Sequence, residues 1–149
     1  MGVFGNALTC GALILFLSAC VPGTAGPGPG GAGEASGVVG EEALGIRVSG
    51  VRCTAAGHMI DFRYRVVDPA RSRPLLDRSL KPRLIDEATG ATFTVPNPPK
   101  VGPLRQTTLA PEEGRIYFIL FANPGHYLKP GSRVAIALGE HRLEHLVVE

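Results

Sequence analysis

The sequence predicts an all-β fold, an antiparallel β-sandwich of seven or eight short strands, immunoglobulin-like in general build. Three observations predict it. Apolar and polar residues alternate with a period of two over several short runs, most cleanly over residues 59–67. Turn signals recur between these runs, as at Thr89-Gly90, Asn123-Pro124-Gly125 and Lys129-Pro130-Gly131. No segment with the apolar spacing of an amphipathic helix of ten residues stands among them.

From residue 44, Leu44, Ile46 and Val48 alternate with Gly45, Arg47 and Ser49, and Gly50 then breaks the phase before Val51 and Cys53. A glycine inside such alternation marks a bulge. Ala55-Ala56-Gly57 reads as a turn. In the next strand Ile60, Phe62, Tyr64 and Val66 share one face, and Asp61, Arg63 and Arg65 share a solvated one. Residues 68–74, with two prolines, stop it, and residues 75–80 read as a short helical turn. Residues 83–85 and 92–95 flank a turn at 86–90 and form a hairpin. Pro96-Asn97-Pro98-Pro99 forces an extended exposed loop, and residues 104–109 read as a weak strand. Residues 115–121 are apolar on both sides, which suits a central strand covered on both faces. Val134, Ile136 and Leu138 alternate with small residues, Gly139-Glu140 turns, and residues 142–148 close the domain.

Ahead of this domain the composition changes. Residues 7–17 are almost wholly apolar, a length that fits the core of an export signal and falls short of the roughly 20 residues a spanning helix needs. The run ends in Leu17-Ser18-Ala19-Cys20, which resembles the lipobox of bacterial lipoproteins. That resemblance implies removal of residues 1–19 and lipidation of Cys20 by diacylglycerol, with the thiolate as nucleophile and palmitate-type chains as the anchor. Two or more acyl chains hold stably, at about 0.8 kcal/mol per buried methylene. Residues 20–42 follow as a lipidated cysteine and a Gly/Pro-rich tether. Glycine makes that backbone costly to order, and the segment offers little apolar surface to offset the cost. A flexible chain of this length spans on the order of 25 Å. The folded domain is expected over residues 43–149.

The resemblance to lipoproteins implies a cell-envelope location with the membrane as a partner through Cys20. Val21, which is not Asp, implies the periplasmic face of the outer membrane where the host has two membranes. The mature part also resembles an uncharacterised family of bacterial exported proteins, through Asp61-Phe62-Arg63-Tyr64-Arg65-Val66-Val67-Asp68 and Leu120-Phe121-Ala122-Asn123-Pro124-Gly125. That likeness implies placement in the envelope and carries no activity.

Charge and cysteine usage narrow the functions. From residue 43 onward there are 15 basic against 10 acidic side chains, a balance of +5. Such an excess suits an anionic envelope polymer, anionic headgroups or an envelope protein as partner. It lacks the dense basic stripe with interleaved aromatics that nucleic acid requires, so nucleic acid is set aside. With Cys10 in the signal and Cys20 acylated, Cys53 is alone in the mature chain, and the core holds the fold without an internal disulfide.

No Gly-x-Ser-x-Gly elbow and no glycine-rich phosphate loop marks a catalytic centre, so the chain is read as non-catalytic and without a cofactor. The candidate ligand-binding residues are Arg63 and Arg65, about 7 Å apart on one strand face and suited to adjacent phosphates or carboxylates, together with Tyr127 in a Pro/Gly loop. The alternative is a periplasmic copper-binding protein using Cys53 and His58, since thiolate and imidazole are copper ligands. Against it, a lone cysteine is by default a small buried hydrophobe. His141 and His145, four apart in a strand, stand roughly 13 Å apart and do not chelate as a pair.

Overall fold

The computed structural model describes residues 40–149, and the signal, Cys20 and the tether up to residue 39 lie outside the described residues. Among the described residues seven strands form two sheets, and every strand pair within them is antiparallel. The first sheet has the order β1-β2-β5, with β1 at Ile46–Thr54, β2 at Met59–Val66 and β5 at Ile116–Ala122. The second has the order β4-β3-β6-β7, with β3 at Arg83–Asp86, β4 at Thr92–Thr94, β6 at Arg133–Leu138 and β7 at His141–Val147. Three hairpins joined by crossings between the sheets give the immunoglobulin-like sandwich expected from the alternation.

One core cluster draws on both sheets. Ile60, Phe62, Tyr64 and Val66 of β2 are buried, as are Leu84 of β3, Val134, Ile136 and Leu138 of β6, and Leu143 and Leu146 of β7. The period-two faces of β2 are as the sequence predicts, with one exception. Asp61 stands on the outward face but is only 8% exposed, because the Arg63 guanidinium folds over it with Nε 2.8 Å from its carboxylate.

Gly50 carries the expected bulge. The register of β1 against β2 shifts between Val48 and Gly50, from Val48 opposite Tyr64 to Gly50 opposite Arg63. The hairpin at residues 83–95 also forms, with the Asp86 carboxylate accepting from the Thr89 hydroxyl to close its turn.

Four local expectations need correction. The chain enters β1 through a short helix, α1 at Glu41–Leu44, ended by Gly45 at φ 60°, so Leu44 is not in the strand. The helical turns fall earlier than residues 75–80: α2 spans Pro69–Ser72 and a 3-10 turn spans Arg73–Leu76. Asp68 starts them by accepting from the N–H groups of Ala70 and Arg71, with Pro69 preset for the first turn. Residues 104–109 form no strand, and only Arg105 bridges to Ile119. Consequently β5 is an edge strand. Tyr117, Ile119 and Phe121 enter the core, whereas Phe118 and Leu120 lie outward and are half-buried.

The apolar outer side of β5 is covered by that irregular segment. Gln106 N–H donates to the Phe118 carbonyl and Leu120 N–H to the Leu104 carbonyl. Arg105 anchors the segment. It is 8% exposed and its guanidinium donates to the carbonyls of Leu75 and Asp77. Burial lowers its pKa from the ordinary arginine range. Burial also raises the Tyr64 phenol well above its ordinary value of 10.0.

The edge of β1 is closed from the other side. Beyond the bulge, Glu149 N–H donates to the Val51 carbonyl and Cys53 N–H to the Glu149 carbonyl. Before the bulge, the outward Val48 N–H is taken by the Glu41 carboxylate. Both devices blunt an edge that would otherwise pair with another chain.

A second bulge sits in β7, where Val134 faces Leu146 and Ile136 faces Leu143. His145 there has φ 61°, and Glu87 clamps it by accepting from its backbone N–H at 2.7 Å. That hydrogen bond, more than the nearby His145 ring, holds the Glu87 carboxyl below its ordinary 4.5. A depressed carboxyl contributes stability above its unfolded value and loses it as the pH falls through the folded one. Glu87→Gln is therefore expected to cost up to about 1 kcal/mol at pH 7. The gap between wild type and variant should close as urea unfolding is repeated from pH 5 down to pH 3. A gap independent of pH would show that the charge of Glu87 does not hold the bulge.

Candidate functional site

Strand direction sorts the connections into two ends. β2 begins and β5 finishes at one end, where Met59 faces Ala122. The turn at residues 55–58, the hairpin tip at 87–91 and the loop at 123–132 gather there. Gly40, α1, α2 and the Gly139-Glu140 turn lie at the other end, which is therefore where the chain enters.

At the far end a buried asparagine joins two loops. The Asn123 amide nitrogen donates to the carbonyls of Gly57 at 2.8 Å and Leu128 at 2.9 Å. Its oxygen accepts from Leu128 N–H at 2.9 Å. Ala55 and Ala56, at φ 50° and 53°, and His126, at φ 54°, all occupy the left-handed region, at roughly 1–2 kcal/mol per residue. The Asn123 bonds hold these turns together. His58 and His126 consequently meet, with ring centroids 4.1 Å apart and their planes tilted by 51°. Tyr127 stands beside them on the surface, its hydroxyl 2.8 Å from that of Thr89 and its ring 5.5 Å from Phe93.

Sequence reasoning singled out His58 and Tyr127 but missed His126 as the neighbour of His58. They are far apart in the chain, and only the β2–β5 register, with Met59 opposite Ala122, brings them together. Cys53 points inward, half-buried, with Sγ 3.9 Å from the Leu128 carbonyl, and is a free thiol. Two imidazoles supply at most half of a tetrahedral metal shell. Among the described residues no group of three or more His, Cys, Asp and Glu side chains is placed to hold a metal ion.

The outer face of the β1-β2-β5 sheet carries the arginines. Arg63 is neutralised by Asp61, while Arg65 donates to the Gly114 carbonyl at 3.0 Å and keeps its charge uncompensated among the described residues. Arg47 lies directly opposite Arg65 across the strand pair. Like charges so placed repel. Arg52, further along the face, is paired with Glu149 at 3.0 Å. The cationic pair of this face is thus Arg47 with Arg65, flanked by Ile116, which faces Arg65 from β5.

Compared with known proteins, the chain matches no family model, no curated protein and no solved structure. No helix among the described residues is long and apolar enough to cross a membrane.

Proposed function

We propose that the protein is a lipid-tethered module of the bacterial cell envelope that binds or scaffolds a partner without transforming it. The observation that carries this reading is the apolar run at residues 7–17 ending in Leu17-Ser18-Ala19-Cys20. Cys20 is the anchor, the residues between it and α1 the tether, and the sandwich the working part. Two features of the sandwich support a binding role. Its loops at the far end are cross-braced by Asn123 and present His58, His126 and Tyr127 on a rigid base. Its outer sheet face carries cations suited to an anionic envelope polymer or an acidic protein surface.

Replacing Cys20 with Ala tests the anchor. The wild-type protein should incorporate labelled palmitate and stay with membranes through a high-salt wash. The Cys20→Ala variant should take up no label and wash off. A variant that remains labelled would contradict the proposal.

A further inference from the structure

We infer that the end of the sandwich where the chain enters, with the adjoining rim of the outer sheet face, is a docking surface for an anionic lipid bilayer. The inference deepens the reading of a membrane-tethered module and rests on it for the presence of a bilayer. Its own basis is the distribution of charge and apolar surface.

The carboxylates at this end are largely committed to internal partners. Asp68 pairs with Arg71 at 3.3 Å and Glu112 with Arg115 at 2.6 Å. Glu41 accepts from Val48 N–H, and Asp77 accepts from the backbone and hydroxyl of Ser79, bonds that hold its carboxyl below the ordinary 3.8. Among the described residues at this end, only Glu42, Glu113 and Glu140 remain without such a commitment. Against them stand Arg47, Arg65, Arg73, Arg78, Lys81 and Arg83, all exposed and none in an ion pair among the described residues.

Exposed apolar side chains share this end. Leu109 is 86% exposed, Val67 51% and Ile116 43%. Each stands next to a cation. Ile116 faces Arg65 across the strand pair, and Val67, just after β2, is two residues on from Arg65. Leu109 and Arg78 line the two sides of an open groove of about 360 Å³ between residues 76–78 and 107–109. Large apolar side chains interleaved with unpaired cations match the two layers of a bilayer surface, the acyl boundary and the anionic headgroups. A soluble polyanion would satisfy the cations and leave Leu109 in water. The chain enters the domain at this same end, so a tether attached to a bilayer would present it first.

Vesicle flotation of the full chain carrying Cys20→Ala tests the surface apart from the lipid anchor. Vesicles of phosphatidylcholine alone set the baseline, including any contribution of the apolar run at residues 7–17. Vesicles with about a third phosphatidylglycerol should bind the chain more tightly, with the preference lost in high salt. Arg47→Ser, Arg65→Ser and Arg78→Ser should each reduce that preference roughly fivefold. Lys129→Ser, at the opposite end, should leave it unchanged. Equal binding to both vesicle types, or an equal loss in Lys129→Ser, would overturn the inference. So would a preference abolished by soluble polyglutamate but indifferent to Leu109→Ser. Because acylation is absent throughout, these results bear on docking alone, and palmitate labelling of the wild-type chain bears on the tether.

Discussion

Asn123→Ala is expected to destabilise the domain by about 3 kcal/mol. The side chain is fully buried and makes three hydrogen bonds, to Gly57, to the Leu128 carbonyl and from the Leu128 N–H. A net hydrogen bond contributes about 1 kcal/mol, and a buried group left unpaired costs about 1–3 kcal/mol. The Leu128 N–H is itself buried, so its loss carries the larger penalty. The backbone bond from Asn123 N–H to the His58 carbonyl survives the substitution, which keeps the estimate at the low end.

The effect should also be local. With the clamp gone, only backbone bonds offset the left-handed backbone at Ala55, Ala56 and His126, and the two turns should relax. Urea unfolding gives the magnitude, and amide exchange at residues 55–58 and 124–128 gives the location. A loss below about 1 kcal/mol, with exchange unchanged, would mean that these loops are held by something other than Asn123.

Phe62→Ala is expected to cost about 4 kcal/mol, a large share of the 5–15 kcal/mol that stabilises a typical domain. Phe62 is fully buried in β2, the middle strand of its sheet. It has Val51 of β1 and Ile119 of β5 on either side in register, and its ring stacks on Tyr64 with centroids 5.4 Å apart. Truncation opens a cavity that three strands border and none can fill without breaking its own ladder. Phe62→Leu, which keeps most of the volume, should cost less than about 1.5 kcal/mol. The urea midpoint should fall in both variants with the slope unchanged. A Phe62→Ala cost similar to that of Phe62→Leu would show that the sheets close over the gap and that packing at this position is loose.

How far the fold was legible follows from where its determinants lie. β2 was plain because a half-buried strand writes its two faces directly into alternate residues. The Gly50 bulge and the hairpin at residues 83–95 were plain because a glycine and a Thr-Gly turn act within a few residues. The edge position of β5 was not legible, since Phe118 and Leu120 are covered by residues 104–106, an irregular stretch held by a buried arginine rather than by a ladder. An apolar run reports that both faces are covered and not by what. Helix α1 was hidden by its length, four residues with no room for a period.

The candidate sites divide in the same way. Arg65 could be named from β2 alone, but its opposite number could not. The sequence suggests Arg63 because it shares the strand face, whereas Asp61 takes Arg63 and the cross-strand register puts Arg47 beside Arg65. Asn123 was read as part of a turn, and its neighbour His126 was not singled out. Their partners, His58 and Gly57, sit in another turn brought close by the β2–β5 pairing. Cys53 shares its strand's inward face with Val51 and contacts Leu128, as a small core residue would.

The central claim is a binding module hung from Cys20, and the most direct test is the intact mass of the protein extracted gently from its own membranes. The account predicts a chain that begins at Cys20, heavier than its amino acids by a diacylglycerol with or without a further acyl group. A chain that retains Met1 and carries no lipid would contradict it.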